Sequence, residues 1–296
     1  MPLEFFDTHC HVHELDAALT PVHDKWFSDK AERSSEAVLR AAQEAGVTRL
    51  IVIGTTLADS ELAVQFAQRH EGVWAAIGLH PHEAKNYTTP QTSYFQGRTL
   101  EIEERWRDRF LELAREPKVV AVGECGLDYY YGHSPQAEQE AVLRFQIELA
   151  LEHGLPLSFH VRDASSAEQE HGAFHDFWRI FDSYRGIRGV LHSFTDNQAN
   201  MERAVERGLY IGVNGIATFT KDEAQLVTYR TIPQHSLLLE TDAPFLTPKP
   251  FRGTICEPKH VVQTAEFLAG LRGENLEQLA VVTASNAKEL FNLQRI

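Results

Sequence analysis

The chain contains 296 residues, of which 43% are hydrophobic and 24% charged, a composition typical of globular proteins that excludes disordered, collagen-like and coiled-coil classes. The net charge of −14 excludes a broad basic surface that would hold duplex nucleic acid through its phosphates. There is no apolar run of about 18 residues, which predicts that no segment crosses a membrane. The first residues do not resemble a signal peptide and the three cysteines are too few for a disulfide framework, so we expect a cytoplasmic protein.

Short apolar runs alternate with longer amphipathic segments along the chain. The runs are rich in Val, Ile and Leu and lack polar alternation, which is typical of parallel strands buried on both faces. They lie at residues 3–8, 49–54, 73–79, 119–123, 155–159, 189–191, 209–213 and 236–239. Helices are predicted at residues 34–45, 59–69, 101–114, 135–153, 198–207, 257–271 and 274–290. Ser134 is expected to cap the helix at 135–153, with Pro135 as its first residue.

Eight strands alternating with helices predict an α/β protein with a (β/α)8 TIM barrel, and an open doubly wound sheet is the structural alternative. The length alone would suggest two domains, but α/β barrels of about 250 residues form a single unit. Segments 14–30 and 83–98 interrupt the alternation, and we interpret them as inserts that shape the site. No linker or low-complexity tract is visible, so residues 1–296 are expected to form one domain.

Histidines and carboxylates recur where the predicted strands end. His9 and His11 follow the first run, and the alternation of side chains along a strand places both on one face. Four further runs each end in a residue that can bind a metal ion, namely Glu124, His160, His192 and Asp242. In a TIM barrel the carboxyl ends of the strands meet at one mouth, so we expect these six side chains to lie together.

Four imidazoles and two carboxylates at one mouth can bind one or two divalent cations. The ligand charge would be about −2, so two ions would leave the site net positive and able to attract phosphate in an acidic protein. Glu124 lies near the middle of the candidate ligands in chain order and is our candidate for a carboxylate that bridges the ions. Mixed histidine and carboxylate ligands leave Mg, Mn and Zn as alternatives.

Four further residues are expected beside these ligands. His80 and His82 follow the third run and would contact substrate or orient ligands. Arg162 would stabilise charge on phosphoryl oxygens, with a structural ion pair to Asp163 or to neighbours of Glu124 as the alternative. Glu240 lies deeper in its strand than Asp242 and is interpreted as an ion-pair partner rather than a ligand. The run of tyrosines at 129–131 either stacks with unpaired bases or packs ordinarily.

Six motifs in order, at residues 7–11, 78–82, 123–129, 160–163, 192–194 and 240–244, together resemble the TatD family of metal-dependent hydrolases and deoxyribonucleases. The resemblance spans Asp7 to about Phe291 and implies an amidohydrolase-type barrel with two metal ions. It implies that one ion is bound by His9 and His11 and the other by His160 and His192. Glu124 would bridge the ions, and Asp242 would be both a ligand and the general base. Residues 254–256, Thr-Ile-Cys, depart from the basic or amide residues that many members carry there.

The resemblance implies magnesium-dependent DNA cleavage, often by 3′ to 5′ exonuclease action. Our leading hypothesis is therefore a phosphodiesterase that acts on DNA through a water activated by two metals, with single-stranded DNA as a substrate rather than a stable partner. The first alternative is hydrolysis of an ester or amide bond, such as D-aminoacyl-tRNA deacylation. The second alternative is a non-catalytic metal-binding scaffold.

Overall fold

The structure, a computed structural model, describes residues 3–29, 31–88, 92–95, 98–101, 105–164 and 172–293. The strands in these ranges are β1 (Phe5–Cys10), β2 (Val47–Ile53), β3 (Val73–Ile77), β4 (Thr92–Phe95), β5 (Arg98–Glu101), β6 (Val119–Asp128), β7 (Leu157–Arg162), β8 (Gly189–Leu191), β9 (Tyr210–Val213) and β10 (Leu237–Leu239).

The helices of the same ranges lie between and after the strands. They are α1 (Pro21–Trp26), α2 (Ser35–Glu44), α3 (Leu57–Arg69), α4 (Lys85–Thr88), α5 (Trp106–Leu113), α6 (Gln136–His153), α7 (Ala173–Phe181), α8 (Gln198–Glu206), α9 (Glu223–Thr231), α10 (Val261–Arg272) and α11 (Leu276–Leu290). Local sequence signals explain several ends: the Thr56 side chain accepts the N–H of Asp59 to begin α3, and α6 ends at Gly154 with a left-handed φ of 67°.

Eight of the strands form one parallel sheet in the order β1-β2-β3-β6-β7-β8-β9-β10. The sheet curls until its two edges meet, because Cys10 at the end of β1 forms a bridge with Ala243 beyond β10. Two hydrogen bonds of 2.8 Å fix this seam, from Asp242 N to the His9 carbonyl and from His11 N to the Ala243 carbonyl. The predicted (β/α)8 barrel is therefore confirmed, and the alternative of an open doubly wound sheet is wrong.

The core follows the two-residue period of the strands. In β2, Leu50 and Val52 pack in the larger buried cluster with helix residues such as Val64. Their neighbours Ile51 and Ile53 pack in a smaller cluster that includes Leu290 at the end of α11. Both faces of the strand are thus buried, which explains why the apolar runs show no polar alternation.

Three strands continue past the ends of the predicted apolar runs. β1 extends to Cys10, β6 to Asp128 and β7 to Arg162. The parallel ladder between β6 and β7 continues through pairs such as Gly126 with His160 and Asp128 with Arg162. Polar residues here remain in the sheet because hydrogen bonding of the ladder depends on the backbone and not on the side chain.

The two segments interpreted as inserts contain secondary structure of their own. Segment 14–30 holds α1, whose Trp26 is fully buried and donates its indole N–H to the His11 carbonyl at 3.0 Å. Segment 83–98 holds α4 and β4, which forms an antiparallel hairpin with β5. Residues 30, 89–91 and 96–97 of these segments lie outside the described residues.

Candidate metal centre

The carboxylate of Glu124 is the residue around which the imidazoles gather. Its Oε1 atom lies 3.0 Å from His160 Nδ1, 3.5 Å from His80 Nε2 and 3.7 Å from His192 Nε2. Its Oε2 atom lies 3.4 Å from His9 Nε2. The four imidazoles come from four different segments, and they meet because their strands end at the same mouth of the barrel.

Asp242 forms the second centre of the site. Its Oδ1 atom lies 3.5 Å from His11 Nε2 and 3.7 Å from His9 Nε2. The backbone of Asp242 has a left-handed φ of 60°, which is uncommon for a residue with a side chain. The hydrogen bond from its N–H to the His9 carbonyl holds this conformation at the barrel seam, and strained residues of this kind cluster at functional sites.

The six residues predicted as ligands therefore come together in the structure. In the described part of the chain, three sets of ligand atoms each lie within 4.8 Å of one another, namely His9-Glu124-His192, His9-His11-Asp242 and His80-Glu124-His160. The Nε2 atom of His9 is buried and makes no hydrogen bond to the described residues. A divalent cation between His9 and the two carboxylates would satisfy this atom, so the donor set fits a metal ion.

The electrostatics of the site also favour a cation. Burial would raise the pKa of Glu124, but the charges of His80 and His192 hold it well below its usual value. Burial likewise opposes ionisation of Asp242, but the hydrogen bond from His11 and the charges of His192 and His9 together outweigh it and lower the pKa of that carboxyl. Both carboxylates are therefore ionised in a buried site, which a divalent cation would neutralise.

Burial lowers the pKa of His9, and the imidazole of His192, stacked 3.4 Å from it, lowers it further. At His11 burial acts in the same direction, but the carboxylates of Asp242, Glu124 and Asp59 together outweigh it and raise the pKa to about 9. Without a metal, a protonated imidazole such as that of His11 thus balances the negative charge of a carboxylate such as that of Asp242. Metal binding would replace these protons, because a ligating imidazole must be neutral.

In three imidazoles, the ring nitrogen that faces away from Glu124 and Asp242 lies beside an oxygen that orients the ring. His11 Nδ1 hydrogen-bonds the Ile53 carbonyl at 2.9 Å, and His160 Nε2 lies 2.8 Å from Asp128 Oδ2. His192 Nδ1 lies 3.0 Å from Glu240 Oε1. Such partners fix which nitrogen of a histidine faces the metal.

The remaining predicted residues lie around this group. Glu240 is buried against His192, in the position expected of a supporting partner, and a side chain at Gly212 would overlap its carboxylate. His80, predicted to contact substrate or orient ligands, lies with its Nε2 atom 3.5 Å from Glu124 Oε1 and within one of the three ligand sets. His82 Nε2 lies 3.3 Å from Asp128 Oδ2 and so borders the ligands.

Arg162 lies outside the ligand group, with its guanidinium carbon 4.1 Å from the ring centre of Tyr130. The alternative of a structural ion pair is not found among the described residues. Asp163 instead accepts the N–H of Phe174 at 3.1 Å. Arg162 is thus free to donate hydrogen bonds into the cavity that it lines.

Asp128 is a residue of the candidate site to which the sequence reasoning assigned no role. Besides its contact with His160, its Oδ1 atom accepts the N–H groups of Tyr130 and Tyr131 at 3.0 and 2.9 Å. A signal was present, since Asp128 lies four residues after Glu124 and strand alternation places both on one face.

A cavity of about 880 Å³ opens over the candidate ligands. Its lining includes His11, His160 and Asp242, and also residues 19–22 from the first presumed insert. The cavity is large enough for a nucleotide-sized ligand, and sites of this kind measure about 300–1,000 Å³. None of the helices in the described ranges meets the length and hydropathy requirements of a transmembrane span.

Comparison with known proteins identifies the family. Residues 6–292 match the family model of the TatD related DNases. The metal-dependent hydrolase YabD of Bacillus subtilis (strain 168), whose function is uncharacterised, is 31% identical over 97% of this chain and 99% of its own length. The 3′-5′ ssDNA/RNA exonuclease TatD of Citrobacter koseri is 35% identical over 90% of this chain and 96% of its own.

Among solved structures, YjjV, a TatD homologue from Escherichia coli K12, superposes with a TM-score of 0.78 at 27% identity. The match covers 99% of both chains, so it includes the strands that carry the site. The chain therefore belongs to the TatD-related DNase family, and it is a metal-dependent hydrolase.

Proposed function

We propose that the protein is a phosphodiesterase that hydrolyses single-stranded DNA from the 3′ end with two divalent metal ions. The relative named 3′-5′ ssDNA/RNA exonuclease TatD supports the substrate class. One observation carries the chemistry: Glu124 faces His9 with Oε2 and His160 with Oε1, at 3.4 and 3.0 Å. A carboxylate with a histidine at each oxygen suits a bridging ligand between two ions.

His9, His11 and Asp242 would hold one ion, and His160 and His192 the other, with Glu124 between them. When bound, the two ions supply a water of lowered pKa and positive charge beside the phosphate. The positive charge is local, so it is compatible with a net charge of −14 for the chain.

In this proposal Asp242 is the general base, because its carboxylate is ionised and lines the cavity. It accepts a proton from the attacking water as the water oxygen bonds to phosphorus. The bond from phosphorus to the leaving oxygen breaks, that oxygen takes up a proton from solvent water, and Asp242 returns its own proton to solvent. Arg162 donates hydrogen bonds to phosphate oxygens, while His80 and His82 orient Glu124 and Asp128.

The two alternatives are separated by substrate and by metal content. Deacylation of an aminoacyl-tRNA would use the same water and base, so only the substrate distinguishes it. A non-catalytic scaffold would tolerate the loss of ligands, whereas all six predicted ligands are present and converge here.

The proposal is tested by incubating metal-reconstituted protein with single-stranded DNA labelled at the 3′ or the 5′ end. A panel of aminoacyl-tRNAs is tested in parallel. We expect early release of the 3′ label as mononucleotide and a ladder of shortened 5′-labelled strands. Release of amino acid from the tRNAs with intact DNA would instead establish deacylation.

Elemental analysis of protein never exposed to chelator should give about two metal equivalents, and less than about half an equivalent would contradict the two-metal centre.

The variant Asp242→Asn tests the base. We expect kcat to fall by about 10²- to 10⁴-fold, with little change in far-UV circular dichroism. Asp182→Asn is a matched control, because Asp182 pairs with Arg203 and Arg207 on the surface and lines no part of the cavity. A near-normal rate for Asp242→Asn would contradict the assignment.

A further inference from the structure

A group of aromatic rings lies exposed beside the metal centre and is not used by the hydrolysis itself. Tyr130 and Tyr131 are 48% and 52% exposed, although large aromatic side chains usually bury most of their surface. Tyr131 and the exposed His133 both line the cavity. We call Tyr130, Tyr131 and His133 the aromatic platform.

The rings of the platform form a continuous surface. The planes of Tyr131 and His133 are parallel to within 6°, with their centres 5.7 Å apart. Tyr130 meets Tyr131 edge to face at 4.9 Å. The guanidinium of Arg162 lies over both tyrosines, 4.1 Å from the centre of Tyr130 and 5.0 Å from that of Tyr131.

The platform is fixed relative to the metal ligands. The carboxylate that accepts the N–H groups of Tyr130 and Tyr131, that of Asp128, also lies 2.8 Å from His160 Nε2. The ring of His82 lies between the aromatic platform and the candidate ligands, with its centre 5.4 Å from the ring centre of Tyr131 and 4.3 Å from that of His80. A molecule on the platform therefore lies at a set distance from the Glu124 carboxylate.

The guanidinium of Arg162 is not held in an ion pair. The exposed Arg69 is paired with Asp16 at 2.6 Å and the exposed Arg179 with Glu140 at 2.8 Å, whereas Arg162 has no carboxylate partner within the described ranges. Its guanidinium contacts the two tyrosine rings. Its N–H groups are therefore available to an anion next to whatever lies on the rings.

We propose that the aromatic platform binds an unpaired nucleobase of the substrate by stacking, with Arg162 on the adjoining phosphate. This proposal rests on the proposed function, since it assigns the base-binding part of the same site. Exposed aromatic rings beside a cation provide the general means of binding single strands, because every base has a face that stacks. A base paired in a duplex presents no free face, so the platform selects unpaired ends.

Ordinary packing is the competing explanation for these tyrosines. Tyr129, the first of the run, shows what packing looks like, since it is 9% exposed and its hydroxyl donates to Asp176 at 3.0 Å. Its two neighbours have about half of their surface in solvent. The run thus divides into one structural tyrosine and two that face the cavity or solvent.

The test compares Tyr131→Leu and Tyr131→Phe with the wild type, and Tyr184→Leu serves as the control. Tyr184 pairs with Glu148 and lines no part of the cavity, so its loss tests a general effect of removing a tyrosine. The substrates are single-stranded oligonucleotides with one abasic residue at each of the first four positions from the 3′ end. Methyl p-nitrophenyl phosphate serves as a phosphodiester without a base.

We expect Tyr131→Leu to lose about 10-fold in kcat/KM on the intact oligonucleotide, mainly through KM, and Tyr131→Phe to match the wild type. Both variants should hydrolyse methyl p-nitrophenyl phosphate within about twofold of the wild type, because no base is involved. One abasic position should reduce wild-type kcat/KM by about the same 10-fold and leave Tyr131→Leu unaffected. Equal activity of Tyr131→Leu and wild type on every strand would overturn the platform.

A binding measurement separates the platform from the proposed function. Oligonucleotides with 2-aminopurine near the 3′ end lose fluorescence when that base stacks on an aromatic ring. Quenching by the wild type but not by Tyr131→Leu, without cleavage of any strand, would support the platform and contradict the nuclease. Cleavage with equal quenching by both proteins would support the nuclease and overturn the platform.

Discussion

At the scale of single residues, buried carboxylates lie behind the imidazoles of the candidate metal centre and orient them. Asp128 lies against His160 and Glu240 lies against His192, and both carboxylates are fully or almost fully buried. Each also accepts backbone N–H groups, for example the Ser193 N–H donating to Glu240 at 2.6 Å. The backbone therefore fixes the carboxylate, and the carboxylate fixes the imidazole.

The variant Asp128→Asn tests this arrangement at His160. The amide can still accept from Tyr130 and Tyr131, but its NH2 group would face His160 Nε2. His160 would then carry its proton on Nδ1, the atom nearest Glu124, and could not ligate through it. We expect metal affinity, measured by chelator competition, to fall by about 10- to 100-fold.

Saturating metal should restore most of the kcat of Asp128→Asn if the carboxylate acts only by positioning His160. Asp176→Asn provides a comparison, because Asp176 accepts from Tyr129 without touching a candidate ligand. Unchanged metal affinity in Asp128→Asn would show that the His160 contact has no role in metal binding.

At the scale of elements, ends of helices were only partly predictable from local sequence. Thr56 and Asn275 cap α3 and α11 with their side chains, as residues of their type usually do. Ser134 was predicted to cap α6, and this prediction is wrong. Its hydroxyl instead donates to the His82 carbonyl at 2.7 Å and accepts the N–H of Lys85, since these tertiary partners compete with the cap.

The turn that leads into α10 contains a histidine whose ring nitrogen accepts a backbone hydrogen bond. His260 Nδ1 accepts the N–H of Glu257 at 3.0 Å, which a protonated imidazole cannot do. Burial lowers the pKa of His260 to about 4, and the charge of Lys259 adds to this effect. The unfolded chain titrates near the ordinary value of about 6.5, so between these values only the unfolded state binds the proton.

We therefore expect acid to weaken the wild type more than His260→Gln as the pH falls from 6.5 towards 4. Glutamine keeps an acceptor for the Glu257 N–H but does not titrate. The difference in slope of the unfolding free energy is below about 1.4 kcal/mol per pH unit, the limit for one proton. Urea titrations from pH 7 to 4 measure it, and parallel pH profiles for the two proteins would contradict the assignment.

At the scale of the whole molecule, the site joins the two ends of the barrel sheet. His9 in β1 and Asp242 beyond β10 lie 3.7 Å apart across the seam, although they are distant in sequence. Glu124 comes from β6, in the middle of the strand order, and its Oε2 atom lies 3.4 Å from His9 Nε2. Ions bound there would add a link across the seam to the bridge and hydrogen bonds that the backbone already makes.

Metal removal should therefore lower the melting temperature. A ligand at 100 times its dissociation constant stabilises the folded state by about 2.7 kcal/mol when the unfolded chain does not bind it. For a chain of this size that corresponds to roughly 4 °C. Thermal melts after EDTA treatment, followed by addition of Mn²⁺ or Zn²⁺, measure the change. A melting temperature independent of metal concentration would show that no ion bridges the seam.

The sequence by itself determined the order of the eight barrel strands and the residues at their ends, whereas helices α7 and α9 and the β4–β5 hairpin were not predicted. Burial on both faces requires continuous apolar runs, and a parallel barrel directs the residues that end those runs to one mouth. These are local patterns that repeat along the chain. The sequence therefore identifies six candidate metal ligands without knowledge of the fold, namely His9, His11, Glu124, His160, His192 and Asp242.

Only the tertiary structure decided which atoms meet. The two oxygens of Glu124 face different histidines, Asp128 lies behind His160, and Tyr131 remains exposed beside the cavity. These contacts depend on the register between strands and on closure of the seam at Cys10 and Ala243. Register and closure arise from packing between residues far apart in the chain, which the period of a single strand does not specify.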